Sequence, residues 1–132
     1  MSDDLKFAAC VEAIESAYEF MLAYAAQGRD KEGSCADGPS IRVFLTSASA
    51  ALHAVEPALQ DKISGGASEN AEQLNGFSAV LGDDAKRAAA AVDLALSVPS
   101  ISSQLVDNLN ASIHLRALLT SLFLVDEAMR KS

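Results

Sequence analysis

The stretch SISSQLVDNLNASIHLRALLTSLFLVDEAMRK, residues 100–131, decides the fold. It contains neither glycine nor proline, and Ser100 can cap a first helical turn. Arg130 and Lys131 stand where cations complement the carbonyl groups at the end of a helix. We therefore predict a single C-terminal helix over residues 100–131, roughly 48 Å long, against which the rest of the chain packs.

The apolar residues of this segment do not keep to one side of a helix. At about 100° per residue, one face of the first half carries Leu105, Val106, Leu109 and Ile113. A second face, more than a quarter-turn away, carries Leu115, Leu118, Leu119, Leu122, Val125 and Met129. The change falls at residues 114–116, so we expect a core helix, an oligomer contact, or both. The residues expected at a partner or oligomer interface are Leu115, Leu119, Leu122 and Phe123.

The composition predicts one all-α domain over residues 1–132. Half of the 132 residues are hydrophobic, which is enough for a core in a chain of this length. Aromatic residues make up only 5% and tryptophan is absent, whereas roughly one residue in five is alanine, the best helix former. The alanine-rich, lysine-poor composition also gives an impression of bacterial origin, on which no argument is built.

The net charge of −8 argues against partners that are themselves strongly acidic. Nucleic-acid backbones and anionic membranes both require clustered Lys and Arg, so neither is an expected partner. The apolar run at residues 117–125 is much shorter than the ~20 residues of a membrane span. No secretion signal is recognisable in MSDDLKF, and two cysteines do not make a disulfide framework or a metal site. We expect a cytoplasmic protein.

Three further helical regions precede the C-terminal segment. Apolar residues spaced alternately four and three positions apart predict two helices. The first covers about residues 3–28 and has the apolar seam Phe7, Val11, Ile14, Tyr18, Met21 and Ala25. The second covers about residues 40–63 and has the seam Ile41, Leu45, Ala48, Leu52, Val55 and Leu59. Pro57 predicts a kink in the second helix. The third region is predicted as two helices, 68–81 and 84–97, that meet at Gly82, and one long bent helix is the alternative. The result is an up-down-up-down four-helix bundle with five helical segments.

No motif in the chain commits it to a chemistry. The Glu-x-x-His spacing of di-iron bundles is absent, and we predict neither a metal nor a cofactor. His53 and His114 lack the basic residue and glycine expected after a phosphotransfer histidine, so structural histidines are the favoured interpretation. Cys35, in the polar loop 29–38, precedes a helix N-terminus that would stabilise a thiolate, but nearby acids oppose this, and an incidental loop cysteine is favoured.

Three functional hypotheses follow. The first is a non-enzymatic interaction protein, an adaptor, assembly chaperone or regulatory subunit, that binds a protein partner or a second copy through an apolar helical surface. The second is a ligand- or cofactor-binding bundle with a pocket near Pro57 lined by His53 and Arg116. The third is histidine phosphotransfer. Arg116 has three possible roles. A salt bridge to a glutamate of the first helix is favoured, a contact at the rim of a dimer comes second, and an anchor for an acidic ligand comes third.

Overall fold

Five packed helices make up the described part of the chain. In the computed structural model, residues 2–33, 40–66 and 68–131 are described, with side chains described for 6–33, 40–66 and 68–130. Within these ranges helices are the only regular secondary structure, which confirms the all-α prediction. The helices are α1 (Ser2–Ala26), α2 (Ile41–Gly65), α3 (Ala71–Leu96), α4 (Ser103–Ala111) and α5 (His114–Lys131). None of them, over the residues described, is both long and apolar enough to cross a membrane.

Local signals account for where several helices begin and end. The Ser40 hydroxyl accepts a hydrogen bond from the backbone N–H of Val43 at 3.2 Å, which caps α2. Ser102 caps α4 in the same way by accepting from the N–H of Leu105 at 3.1 Å. After α1, Gly28 adopts φ 65°, a left-handed conformation that glycine enters without steric cost.

The core lies where α2 packs between α1 and α3 and where α3 packs against α5, while α4 packs mainly against α1. The predicted seam of α2 is buried at every position. In α1, the buried positions turn toward α2, so Phe7, Ile14 and Met21 are buried whereas Val11 and Tyr18 are only half-buried. The seam of α1 is therefore wider than the surface that the other described residues cover.

The predicted break at Gly82 does not occur, and α3 runs unbroken from Ala71 to Leu96. The two predicted helices, 68–81 and 84–97, are therefore wrong and the single-helix alternative is right. The physical reason is that both halves bury one continuous face, comprising Leu74, Leu81, Ala85, Ala88, Val92 and Ala95. A glycine costs a helix only about 1 kcal/mol, which this shared burial exceeds.

The predicted single helix over residues 100–131 is also wrong, because it divides into α4 and α5. Ile113 separates them with φ 66°, and its carbonyl accepts from the N–H of Ala117 at 2.8 Å, starting α5. The break lies next to the residues where the apolar face changes sides. A straight helix could turn only one of the two faces to the core, whereas a bend buries Val106 and Leu109 together with Leu115 and Leu118.

Candidate functional site

An open groove with a largely apolar floor lies between α1 and α5. Helix α5 makes most of its contacts with α3 and few with α1, so the two helices flank a furrow that α4 does not cover. Two adjoining depressions lie along it, with cavity volumes of about 270 Å³ and about 240 Å³. Glu15 and Phe123 line both depressions, and this shared border makes them one continuous groove, here called the α1–α5 groove.

The larger depression lies beside the first half of α1. Its apolar lining is Phe7, Val11, Leu122 and Phe123. Its charged lining is Glu12 and Glu15 of α1, Lys62 of α2, and Asp126 and Arg130 of α5. The Arg130 guanidinium Nε lies 3.0 Å from Asp126 Oδ2, and the Lys62 ammonium lies 5.3 Å from the centre of the Phe7 ring. These cations remain close to the apolar floor and available to a partner's acids.

The smaller depression lies beside the middle of α1. Tyr18, Leu119 and Phe123 supply its apolar lining, and Glu15, Glu19 and Arg116 its charged lining. The Arg116 side chain is exposed, and within the described part of the chain it forms no ion pair within 4.0 Å. The favoured salt bridge to a glutamate of α1 is therefore not formed, although Glu15 and Glu19 line the same depression.

The four residues predicted at an interface differ in exposure. Leu115 and Leu122 are 2% and 1% exposed, so they are core residues of this chain, and Leu122 also borders the larger depression. Leu119 is 5% exposed and lines the floor of the groove. Phe123 is 55% exposed and stands above this floor, which makes it the member of the set available to a partner. The break at Ile113 sets this orientation, which a straight helix would not produce.

His53 lies on a different part of the molecule, between α2 and α3. Its Nε2 is 3.2 Å from Asp93 Oδ2, and the Ser49 hydroxyl donates to Asp93 Oδ1 at 2.5 Å. The carboxylate thus bridges serine and histidine, whereas a nucleophilic triad needs the histidine in the middle to accept the serine proton. The hydrogen bond from Ser49, followed by that from His53, lowers the pKa of Asp93.

The structure does not bring His53 and Arg116 together, since one lies at the α2–α3 surface and the other in the α1–α5 groove. The predicted ligand pocket that combined them near Pro57 is therefore not formed by this pair. Helix α2 continues through Pro57 to Gly65. His114 is the half-buried first residue of α5, and Cys35 lies outside the described residues. Over the residues described, no three His, Cys, Asp or Glu side chains converge as metal ligands would.

A polar network that the sequence did not predict joins the loop after α1 to the end of α3. The Arg42 guanidinium donates to both carboxylate oxygens of Glu32, at 2.7 Å from Nη2 and 3.2 Å from Nε. It also donates to the carbonyl oxygens of Leu96 (2.9 Å) and Val98 (3.0 Å), just where α3 ends. Glu32 in turn accepts from the N–H of Ile101 at 2.8 Å. Arg42 therefore closes the end of α3 in the way a basic side chain caps a helix.

A second set of hydrogen bonds extends this network to α4. The Tyr24 hydroxyl donates to the Ile101 carbonyl at 2.5 Å, and the Ser103 hydroxyl donates to the Tyr24 carbonyl at 2.6 Å. Ser103 and Arg29 exchange a pair of bonds, each 2.8 Å long, through the Arg29 N–H and carbonyl. The network holds the start of α4 against the end of α1, and it is structural in character because backbone groups are its main partners.

Comparison of the chain with protein-family models, with curated proteins and with solved structures finds no match.

Proposed function

We propose that this protein is a non-enzymatic interaction protein whose α1–α5 groove binds an amphipathic helix of a protein partner. The observation that carries the proposal is Phe123, a large aromatic side chain 55% exposed above a floor of buried leucines. Aromatic residues of this kind contribute a large share of the binding energy in protein interfaces. An adaptor, assembly chaperone or regulatory subunit would use such a surface.

The shape of the groove favours a helix as its occupant. Two helices flank it, and the half-buried Val11 and Tyr18 on α1 face the depressions that Leu119 and Phe123 line from α5. A third helix lying in such a furrow would place apolar residues there at every third or fourth position. Burial of this partly exposed apolar surface would stabilise the complex at about 25 cal/mol per Å², less the cost of association.

The charges along the groove favour a particular type of helix. Glu12, Glu15 and Glu19 line the α1 side, whereas Arg116 and the ion pair of Arg130 with Asp126 line the α5 side. A partner helix with basic residues on one flank and acidic residues on the other would pair with both sides. Such pairing mainly sets the orientation and rate of binding, while the apolar seam supplies most of the affinity.

We further propose that the chain acts in the cytoplasm and that its helices are connected up-down-up-down, with α4 and α5 sharing the place of the fourth helix. Support for the connection comes from the packing of α1 on α2 and of α2 on α3. Consecutive helices that are neighbours in space are typical of such bundles.

Site-specific photocrosslinking in the native cell tests the proposal. A photoreactive benzophenone amino acid replaces Phe123 in one variant and Leu94 in the control, since Leu94 is 71% exposed on α3 and does not line the groove. We expect the Phe123 variant to form one adduct of defined mass and the Leu94 variant to form none. Equal adducts from both positions, or none from Phe123, would refute the proposal.

A further inference from the structure

We infer that the occupant of the α1–α5 groove is a second copy of this chain, related to the first by a two-fold axis along the groove, so that α5 of each copy packs over α1 of the other. This inference rests on the proposed function, because it names the occupant of the same groove. The levels at which the charges lie along α1 and α5 favour this arrangement.

The two depressions show which residues of α1 and α5 lie at the same level. The larger one joins Glu12 to Asp126 and Arg130, and the smaller one joins Glu15 and Glu19 to Arg116. Residue numbers therefore rise along α1 as they fall along α5, so the two helices run in opposite directions beside the groove. Arg116 is level with Glu15 and Glu19 of α1, and Arg130, with its ion-pair partner Asp126, is level with Glu12.

A face-to-face dimer can place its two-fold axis along the groove or across it. An axis along the groove keeps every residue at its own level and exchanges the two sides, so α5 of one copy covers α1 of the other. Arg116 then faces Glu15 and Glu19 of the second copy, which is the decisive pairing. Arg130 lies level with Glu12 of the second copy together with its own ion-pair partner Asp126. An axis across the groove would instead place α1 on α1 and bring glutamates together. Like charges in apposition are repulsive, so the first arrangement is selected.

The same arrangement gives Phe123 a binding position. Phe123 borders both depressions, as does Glu15, so it lies near the middle of the groove. With the axis along the groove, the Phe123 ring would meet α1 of the second copy at the level of Glu15, with Val11 and Tyr18 one turn to either side. Those two half-buried side chains form an apolar surface on α1 that the other described residues cover only in part.

Net charge does not prevent this association. The chain carries −8 overall, and two copies repel each other at long range. At physiological salt, this repulsion is screened beyond about 8 Å. The groove itself carries both signs, namely Glu12, Glu15, Glu19 and Asp126 against Lys62, Arg116 and Arg130. The surface that closes is consequently far less acidic than the average surface of the chain.

Charge exchange across the interface tests the inference, measured by sedimentation equilibrium of the full chain at fixed salt. Arg116→Glu should raise the dissociation constant by about tenfold or more, and so should the double change Glu15→Arg with Glu19→Arg. A mixture of the two variants should associate at least tenfold more tightly than either alone, because opposite charges then meet again. The control is Lys86→Glu, an exposed site on α3 with the same charge change, which should leave the dissociation constant within twofold.

Three results would overturn the inference: a wild-type chain that stays monomeric at all concentrations, equal weakening by Arg116→Glu and Lys86→Glu, or no recovery in the mixture. The mass of the Phe123 crosslink separates this failure from failure of the proposed function. An adduct of twice the chain mass supports the second copy. An adduct with a different protein refutes the second copy and leaves the groove as a helix-binding site.

Discussion

Replacing Arg42 by alanine should destabilise the fold more than an ordinary surface substitution. The guanidinium donates four hydrogen bonds, two to Glu32 and two to the carbonyl oxygens of Leu96 and Val98. Its loss leaves the Glu32 carboxylate, whose side chain is 17% exposed, with the Ile101 N–H as its remaining donor among the described residues. The two carbonyl oxygens at the end of α3 also lose a cationic partner.

The magnitude follows from the exposure of the groups involved. Hydrogen bonds to a charged group contribute about 1.5–3 kcal/mol each when buried. The Arg42 side chain is 35% exposed, so water replaces part of what is lost and the four bonds do not add. We expect Arg42→Ala to lower the free energy of unfolding by about 2–3 kcal/mol. Arg42→Lys should cost about half as much, because a single ammonium group cannot serve the carboxylate and both carbonyls.

Urea denaturation followed by far-ultraviolet circular dichroism measures these differences, since the chain contains no tryptophan. Glu32→Gln and the double variant complete a mutant cycle, and we expect a coupling of about 1 kcal/mol or more between Arg42 and Glu32. If Arg42→Ala lowers the free energy of unfolding by less than about 0.5 kcal/mol, or by the same amount as Arg42→Lys, the stabilising role of Arg42 is refuted. The network would then contribute no more than neutral surface contacts do.

The same network predicts how stability depends on pH. The hydrogen bond from Arg42 is the main cause that lowers the pKa of Glu32 below its ordinary value of 4.5, with the Ile101 N–H adding to it. A lowered pKa in the folded state means that the stabilisation is complete above the unfolded pKa and is lost as pH falls through the folded one. The wild type should therefore lose stability below about pH 4.5, and Glu32→Gln should show a smaller loss over that range.

Three other experiments test separate parts of the fold. Ile113→Gly should raise the free energy of unfolding measured in urea by about 1 kcal/mol, because a β-branched residue at φ 66° is strained and this side chain is largely exposed. An unchanged free energy of unfolding would contradict the strain. A methyl group at Gly82 would overlap the Glu56 carboxylate. The gain in free energy of unfolding from Gly82→Ala should therefore be about 1 kcal/mol larger in the Glu56→Ala background than in the wild type. Equal gains in both backgrounds would show that the Glu56 side chain simply moves aside. Leu119→Glu should lower the free energy of unfolding by about 3 kcal/mol or more, because Leu119 is buried. Phe123→Glu should change it by less than about 0.5 kcal/mol and still abolish association in sedimentation, because Phe123 is exposed. Similar losses of stability in the two variants would contradict the buried placement of Leu119 and the exposed placement of Phe123.

Much of the fold could be predicted from local sequence patterns. The seams of α1 and α2 mark helices whose observed bounds, Ser2–Ala26 and Ile41–Gly65, lie within a few residues of the predicted ones. A helix period is a local property, since each apolar residue needs only its neighbours three and four positions away to define a face. Gly28 after α1 is a similarly local signal, because it concerns the conformation of one residue.

The candidate site could be predicted only in part. The change of apolar face near residues 114–116 drew attention to the C-terminal segment, and Phe123 was predicted at an interface there. It did not show that the chain breaks at Ile113, since a β-branched residue is a poor candidate for a left-handed conformation. Which of the leucines became core and which lined the groove followed from that break.

The sequence by itself determined that the chain forms helices and which residues can be buried in each of them. Tertiary structure decided the break before α5, the packing of α5 on α3 rather than α1, and the groove that this packing leaves beside Val11 and Tyr18. It also decided that Arg42 on α2 meets Glu32 and the end of α3, which lies more than fifty residues further along the chain. The physical reason is that a periodic pattern sets the direction of a face along its own helix, whereas the neighbour that covers this face is chosen by long-range packing of the whole chain.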